Sequence, residues 1–375
     1  MKKLFIYPLL FIFTLPVFTG FSQSTDVSTD FLDYNLLEKR MEKSNSNIQD
    51  EKKGSRSSTW YKRGLLFQDI ADVDIEMLQI GMEPSYVQIL IGSPKEKVQK
   101  EDGVEVHKYE RINLHYKGGV LNVWEKTKTL HEKPLHEAMS SFKKAIELDE
   151  KGKMKSKLDD ELERLKKQFY SVGFNYFNMQ QYDEAFNHFQ KAVETIEMVA
   201  YEGNKVDTLL YFHTGLAANL AENLEGAAKY YQKALDAGYL GEGTSKGEII
   251  FYLTDAYFSL NDTANAIETL KTGMKKMPDN KNIMLTLIDT YIKTDQSKQA
   301  LEYIDIAKEK DPTNATLYFA EGALFEELGE KDKAINSYKK ALEFDPDNAN
   351  VNYNLGVMYY NQGVIIFNEA ADIKD

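Results

Sequence analysis

Three prolines recur at a fixed spacing in the last third of the chain. Pro278, Pro312 and Pro346 are evenly spaced, and each follows a small and a bulky residue at matching offsets. The preceding pairs are Ala266 with Leu270, Ala300 with Ile304, and Ala334 with Tyr338. A period of about 34 residues, with helical spacing and a boundary proline, is typical of stacked helix-turn-helix units that bury their apolar faces against one another. We therefore predict a mainly α solenoid whose function is binding.

The composition agrees with a folded chain and argues against one class of partner. The 375 residues are 42% hydrophobic and 28% charged, as in globular proteins. The formal net charge is −13. Nucleic-acid binding needs a concentrated basic face, and the sequence has none, so we expect no nucleic-acid partner.

The first 22 residues resemble a cleavable secretory signal. Lys2 and Lys3 precede the apolar run Leu4–Phe18, and Gly20 and Ser22 supply small residues before the expected cleavage site. An uncleaved membrane anchor is the competing interpretation, but the run contains two prolines and is shorter than the roughly 20 residues that a spanning helix needs. After cleavage we expect a mature chain without a transmembrane segment, located in the periplasm or secreted, and we keep association with the cell envelope as an option.

The chain has no cysteine, which removes several kinds of chemistry. Disulfides, acylated cysteines and thiol catalysis are excluded. The six histidines are scattered, and the nearest pair, His131 and His136, is five apart instead of the four that suits a helical metal site. No glycine-rich phosphate loop follows a predicted strand. We therefore predict no catalytic, metal or cofactor site, and no enzyme.

A large-small-large triplet at offsets 0, 4 and 7 marks the first helix of several units. It occurs at Trp60-Gly64-Phe67, Phe169-Gly173-Tyr176 and Tyr318-Gly322-Phe325. With this triplet and the alanine and proline pattern, the chain resembles the tetratricopeptide repeat family, and about seven units can be placed. The structural repeat positions are Gly173, Ala185, Gly215, Ala227, Ala266, Pro278, Ala300, Pro312, Gly322, Ala334, Pro346 and Gly356.

Two units depart from the family pattern. In unit five Ile288 replaces the small residue, so its two helices are expected to lie slightly apart. Unit seven begins well at Gly356 and then loses the pattern from Gly363 to Asp375. This last unit is interpreted either as a capping helix or as a truncated repeat.

The pattern divides the chain into segments. After the signal of residues 1–22, residues 23–56 form a polar, partly helical segment, and residues 57–71 the first helix of repeat one. An α+β insert spans residues 72–133, the second helix and a linker span 134–165, and repeats two to seven span 166–375.

The insert has its own pattern, a helix followed by strands. Val104–Trp124 alternates apolar and polar residues around a Lys117-Gly118-Gly119 turn, which predicts about three antiparallel strands. Its Gly81-Met82 and Gly92-Ser93-Pro94 motifs resemble the small module of the SmpA/OmlA outer-membrane lipoproteins and of β-lactamase inhibitor protein. The chain lacks the acylated cysteine of those lipoproteins.

The resemblance also implies a binding surface. In this family the first helices line a concave groove, and two rows of aromatic residues fall at groove positions here. The predicted peptide groove consists of Tyr170, Phe177, Phe212, Phe251, Phe258, Phe319 and Tyr353. Exposed aromatic rings would hold an extended or helical peptide. The alternative is that these rings pack adjacent first helices, as they often do in the family.

Charges in the groove limit the kinds of peptide that it is expected to bind. Asp255 and Asp289 occupy groove positions with no expected lysine beside them, so an acidic C-terminal peptide is an unfavourable ligand. We predict an exported scaffold with a protein or peptide partner and no cofactor. The alternative is a secreted or periplasmic protein that binds a carbohydrate or a hydrolase, as an inhibitor does.

Overall fold

A computed structural model describes residues 34–198, 206–241 and 243–372 of the chain. The predicted signal peptide lies outside these residues. The described part contains sixteen α-helices, a short 3-10 helix at Gly243–Ser245 and four strands, in agreement with a mainly α solenoid carrying a small α+β insert. Within it, no helix combines the length and apolar character needed to cross a membrane.

The N-terminal segment packs on the solenoid through a buried arginine. It forms α1 (Tyr34–Gln49) and the short α2 (Glu51–Gly54), followed by α3 (Ser57–Asp72). Arg63 of α3 donates hydrogen bonds to Ser44 Oγ and Asn45 Oδ1 of α1, and its Nε lies 2.7 Å from Glu137 Oε1. One guanidinium therefore joins three helical segments through three hydrogen bonds.

The insert is a helix and a four-stranded antiparallel meander with its own small core. Its elements are α4 (Pro84–Ile91), β1 (Glu96–Gln99), β2 (Glu105–Lys108), β3 (Ile112–Lys117) and β4 (Val120–Lys126), with the strands paired in chain order. Gly118 and Gly119 both have positive φ, 60° and 83°, which closes the predicted hairpin with a type I′ turn. Val87, Leu114 and Leu121 are completely buried between the helix and the sheet.

The expectation of about three strands was wrong by one. The missed strand is β1, a mostly exposed edge strand with the sequence Glu-Lys-Val-Gln. An edge strand with both faces near solvent needs no alternation of apolar and polar residues, so the pattern did not reveal it.

The insert is anchored to the solenoid by hydrogen bonds. The side-chain amide of Asn175 accepts a hydrogen bond from Trp124 N and donates one to Trp124 O, both at 2.9 Å, so it pairs with β4 as a neighbouring strand would. Lys126 Nζ donates to the carbonyl oxygens of Ala71 and Val73 at the end of α3. Burial lowers the pKa of Lys126 to about 8.

Six helix pairs and a single last helix make up the solenoid in the described part of the chain. The pairs begin with α3 and α5 (Pro134–Glu147) on either side of the insert. The others, in chain order, are α6 (Lys155–Asn178) with α7 (Tyr182–Ile196), α8 (Thr208–Leu220) with α9 (Leu224–Asp236), α10 (Glu248–Ser259) with α11 (Thr263–Lys276), α12 (Lys281–Lys293) with α13 (Ser297–Lys310), and α14 (Ala315–Glu327) with α15 (Lys331–Phe344). The last described helix is α16 (Ala349–Asp372).

Two of the predicted boundaries need correction. The linker after α5 ends at residue 154 and not at 165, because α6 begins at Lys155 and its first turns bury Leu158, Leu162 and Leu165. These leucines, spaced by four and three, form an apolar helical stripe beyond the limits of the repeat pattern. Unit seven is α16 alone among the described residues, so there are six complete pairs.

The repeat period comes from a shared turn. The three prolines lie just after a second helix, where a residue without an N–H can stop the helix. The asparagine two positions later caps the next helix by accepting a backbone N–H at 3.1–3.2 Å. These asparagines are Asn280, Asn314 and Asn348.

Candidate functional site

Close glycine–ring contacts hold the two helices of four units together. A Cβ placed on the first-helix glycine would lie 2.3–2.7 Å from a ring carbon of the second helix, too close for any side chain. The contacts are Gly64 with Phe142, Gly173 with Phe189, Gly215 with Tyr231, and Gly322 with Tyr338. The repeat alanines Ala185, Ala227, Ala266, Ala300 and Ala334 are completely buried.

Units four, five and seven depart from this contact. In unit four the residues at the two positions are Thr254 and Leu270, and both are buried. In unit five the residues at the two positions are Ile288 and Ile304, and both are buried. The expected wider spacing of those two helices stays a prediction. In unit seven a Cβ on Gly356 would meet nothing within 4 Å, because no described second helix packs against that side of α16.

Each first helix from α6 to α16 presents three residues on the face that the resemblance assigns to the groove. They are spaced by four and three residues, so they lie on one side of the helix. We call this set the first-helix row: Tyr170, Phe174 and Phe177; Phe212, Leu216 and Asn219; Phe251, Asp255 and Phe258; Leu285, Asp289 and Ile292; Phe319, Ala323 and Glu326; Tyr353, Val357 and Tyr360.

The row is filled by its own side chains in unit two. A hydrogen bond of 2.7 Å joins Tyr170 Oη to His213 Nδ1 of the next first helix. Phe174 packs edge-on against His213, and Phe177 packs against Phe174 and Tyr182. The recess among these rings is too tight to admit a water molecule. Tyr170 and Phe177 therefore pack neighbouring helices.

Unit three is closed in the same way. Phe212 is buried, and its ring stacks on Tyr239 with centroids 4.8 Å apart and also approaches Tyr231 and Tyr252. Burial lowers the pKa of the neighbouring His213 to about 4, so this imidazole is neutral at pH 7. The surroundings of Phe212 offer no free ring face for a ligand.

The row opens to solvent from unit four onward. Phe258 and Ile292 are exposed, and Leu285 is 43% exposed. Phe251 and Phe319 are half-buried, with the Phe319 ring 6.0 Å from that of Tyr338. Tyr353 is 72% exposed on α16. Of the predicted groove residues, Phe258 and Tyr353 are exposed, Phe212 is buried, and Tyr170, Phe177, Phe251 and Phe319 are half-buried against the core.

Leu285 and Ile292 were not among the predicted groove residues. The prediction selected rings, whereas these two positions carry aliphatic side chains. Their row position was visible in the sequence, but their exposure depends on what neighbouring units place beside them. Like Phe258, both are exposed row residues.

Two carboxylates lie within this accessible surface. Asp289 pairs with Lys293 one helical turn later, at 2.5 Å between Oδ2 and Nζ, so the expectation of no adjacent lysine was wrong for this residue. Asp255 makes no ion pair within the described part of the chain. Its side chain still reaches solvent, and partial burial among its neighbours raises its pKa.

The described residues bring together no cluster of three or more histidine, aspartate or glutamate side chains that could hold a metal ion. The candidate site consists of exposed apolar row residues of units four and five together with the carboxylates Asp255 and Asp289. Such a surface can bind a partner through apolar contacts and through ion pairs with its carboxylates.

Family models match the C-terminal part of the chain. A model described as tetratricopeptide repeat matches residues 257–320, and one described as TPR repeat matches residues 322–363. No curated protein is similar in sequence.

Several solved structures are similar to part of this chain. YrrB, a TPR protein with an unusual peptide-binding site, is 17% identical, with a TM-score of 0.37 over 54% of this chain and 98% of its own. A TPR repeats protein from Bacteroides fragilis is 18% identical, with a TM-score of 0.40 over 52% and 98%. MamA from Desulfovibrio magneticus is 18% identical, with a TM-score of 0.33 over 44% and 94%.

The repeat-family matches coincide with units four to seven, where the glycine, alanine and proline positions recur at the family spacing. Residues 257–363 of the chain are therefore tetratricopeptide repeats.

Proposed function

We propose that the chain is an exported, non-catalytic scaffold that binds a peptide or protein partner along the first-helix row of units four and five. One observation supports this most strongly: Phe258, Leu285 and Ile292 are all exposed in the rows of units four and five, whereas Tyr170 and Phe212 are packed against neighbouring side chains in units two and three. Apolar side chains kept accessible at adjacent positions are typical of interaction surfaces. Export rests on the sequence of residues 1–22.

The charges at this surface indicate the chemistry of the partner. Asp255 lies between Phe251 and Phe258 on one side of α10 and lacks a cation among the described residues. A lysine or arginine of a partner would supply the cation, and the exclusion of water on binding would strengthen its ion pair with Asp255. The partner segment that fits is therefore apolar with one basic residue.

A peptide library displayed to the purified chain tests this function. We expect the selected peptides to combine aromatic or aliphatic residues with a lysine or arginine. Phe258→Ala should weaken a selected peptide by about 30-fold, equivalent to about 2 kcal/mol, as loss of a central contact residue does. Asp255→Asn should weaken basic peptides more than their neutral variants.

Ile306→Ala is the matched control, because Ile306 is an exposed aliphatic residue on the second helix α13. Binding that falls equally in the control and in Phe258→Ala would contradict the assignment to the row. Selection of no peptide, together with retention of a glycan on the same surface, would favour the carbohydrate-binding alternative.

A further inference from the structure

The last helix uses only one of its sides within the described chain. Val351, Leu355 and Met358 pack on α15, with Val351 and Met358 buried and Leu355 half-buried. The helix then continues for more than three turns with every described residue exposed. The other side of α16 is without a partner in the described structure.

This free side carries a regular alternation of small and aromatic residues. The residues are spaced by four and three along the helix, which places them in one stripe on the side away from α15. The stripe is Ala349, Tyr353, Gly356, Tyr360, Gly363 and Phe367, and we call it the α16 stripe. Tyr353 and Tyr360 are each 72% exposed, and Phe367 is 74% exposed.

The described residues do not fold back over this stripe. Gly363 lies one repeat period after Gly329, which turns the chain between α14 and α15 with φ of 76°, yet Gly363 is inside α16. A second helix after a turn at Gly363 would place Asn368 and Asp372 where unit six buries Ala334 and Tyr338. Burying an amide and a carboxylate there is unfavourable, which explains the continuous helix.

We propose that the α16 stripe pairs with the same stripe of a second copy, in an antiparallel arrangement with two-fold symmetry. In one register every ring lies opposite a small residue: Tyr353 faces the partner's Gly363, Gly356 faces the partner's Tyr360, and Ala349 faces the partner's Phe367. Two-fold symmetry generates the reciprocal contacts. Each contact has the small-against-ring form that the chain itself uses at Gly322 and Tyr338.

The charge distribution favours a second copy as the occupant. The chain carries a net charge of −13, but Ala349–Asn368 contains no lysine, arginine, aspartate, glutamate or histidine. Two acidic copies can approach along this uncharged helix without opposing like charges. A basic partner would gain no ion pair there and would lose hydration. The stripe extends over about 27 Å, at about 1.5 Å per residue, which is long enough for several layers of contact.

Sedimentation equilibrium of the full-length chain over a range of concentrations tests the pairing. We expect a monomer–dimer equilibrium whose dissociation constant rises about 30-fold in Gly356→Leu, because the new side chain occupies the space of the partner's Tyr360. The free side of Gly356 is open, so this variant should fold normally. Ile366→Ala is the matched control, since Ile366 is exposed on the same helix but outside the stripe, and it should leave dimerisation unchanged.

Disulfide trapping tests the antiparallel register, because the chain has no cysteine of its own. A mixture of Ala349→Cys and Phe367→Cys chains should form a mixed disulfide. Neither variant alone should cross-link, because identical positions would lie about 27 Å apart in this register. A disulfide formed by Ala349→Cys alone would overturn the antiparallel pairing. A chain that stays monomeric, or a dimer unaffected by Gly356→Leu, would overturn the proposal itself.

Discussion

The same substitution at two equivalent glycines should have opposite effects on stability. In Gly322→Ala the new Cβ would lie 2.6 Å from two ring carbons of Tyr338. That ring is completely buried, and its hydroxyl is hydrogen-bonded to Glu326 Oε2 and to Asn354 Nδ2, so it has little freedom to move aside. In Gly356→Ala, at the equivalent position of the next unit, the new Cβ meets nothing within 4 Å.

The expected magnitudes follow from two known effects. Overpacking a dense contact costs about 1–3 kcal/mol, whereas replacing glycine by alanine inside a helix gains about 1 kcal/mol. Gly322→Ala should therefore lower the free energy of unfolding by about 1–2 kcal/mol, and Gly356→Ala should raise it by up to about 1 kcal/mol. Gly356 thus serves as the control for helix propensity.

Urea denaturation followed by circular dichroism measures both values, at a protein concentration low enough to keep α16 unpaired. The comparison is valid when the two variants unfold with the same dependence on urea as the parent chain. If Gly322→Ala stabilises the chain as much as Gly356→Ala does, the ring of Tyr338 yields easily, and close glycine–ring contacts do not position the helix pairs.

Four further predictions concern pH, packing, the insert and export. Burial holds the pKa of His213 near 4, against about 6.5 in the unfolded chain, so acid protonates the unfolded state first. The free energy of unfolding should therefore fall by about 2 kcal/mol between pH 7 and pH 5. Denaturation at the two pH values measures this fall, which should be smaller in His213→Gln. Phe212→Ala should lower stability by about 3–5 kcal/mol, and Phe258→Ala by much less, in the same assay. A chain in which a short turn replaces residues 72–133 should keep most of its helical circular dichroism but melt at a lower temperature; loss of most helix would show that the solenoid needs the insert. Protein recovered from the periplasm or medium should have the mass expected after cleavage behind Ser22, and a mass that includes residues 1–22 would contradict export by this signal.

Much of the solenoid could be predicted because its signals are local. The prolines, the capping asparagines and the Gly118-Gly119 hairpin act on backbone within a few residues of themselves. The glycine and alanine positions could be predicted because four units repeat the same glycine–ring contact and units two to six each bury an alanine at the same position. Strand β1 and the first turns of α6 were missed because neither follows the pattern used to find them: β1 lacks alternation, and Leu158 precedes the repeat motif.

The sequence by itself determined that this protein is built from repeated helix pairs, since the period and the paired small and large residues are properties of the chain alone. Only the tertiary structure decided which row residues can meet a partner. Tyr170 and Leu285 occupy the same position in their units, but His213 of the next first helix bonds to Tyr170, whereas Leu285 remains exposed. The physical reason is that the exposure of a side chain depends on the residues that neighbouring units place against it, and those residues belong to a different repeat, far away along the sequence.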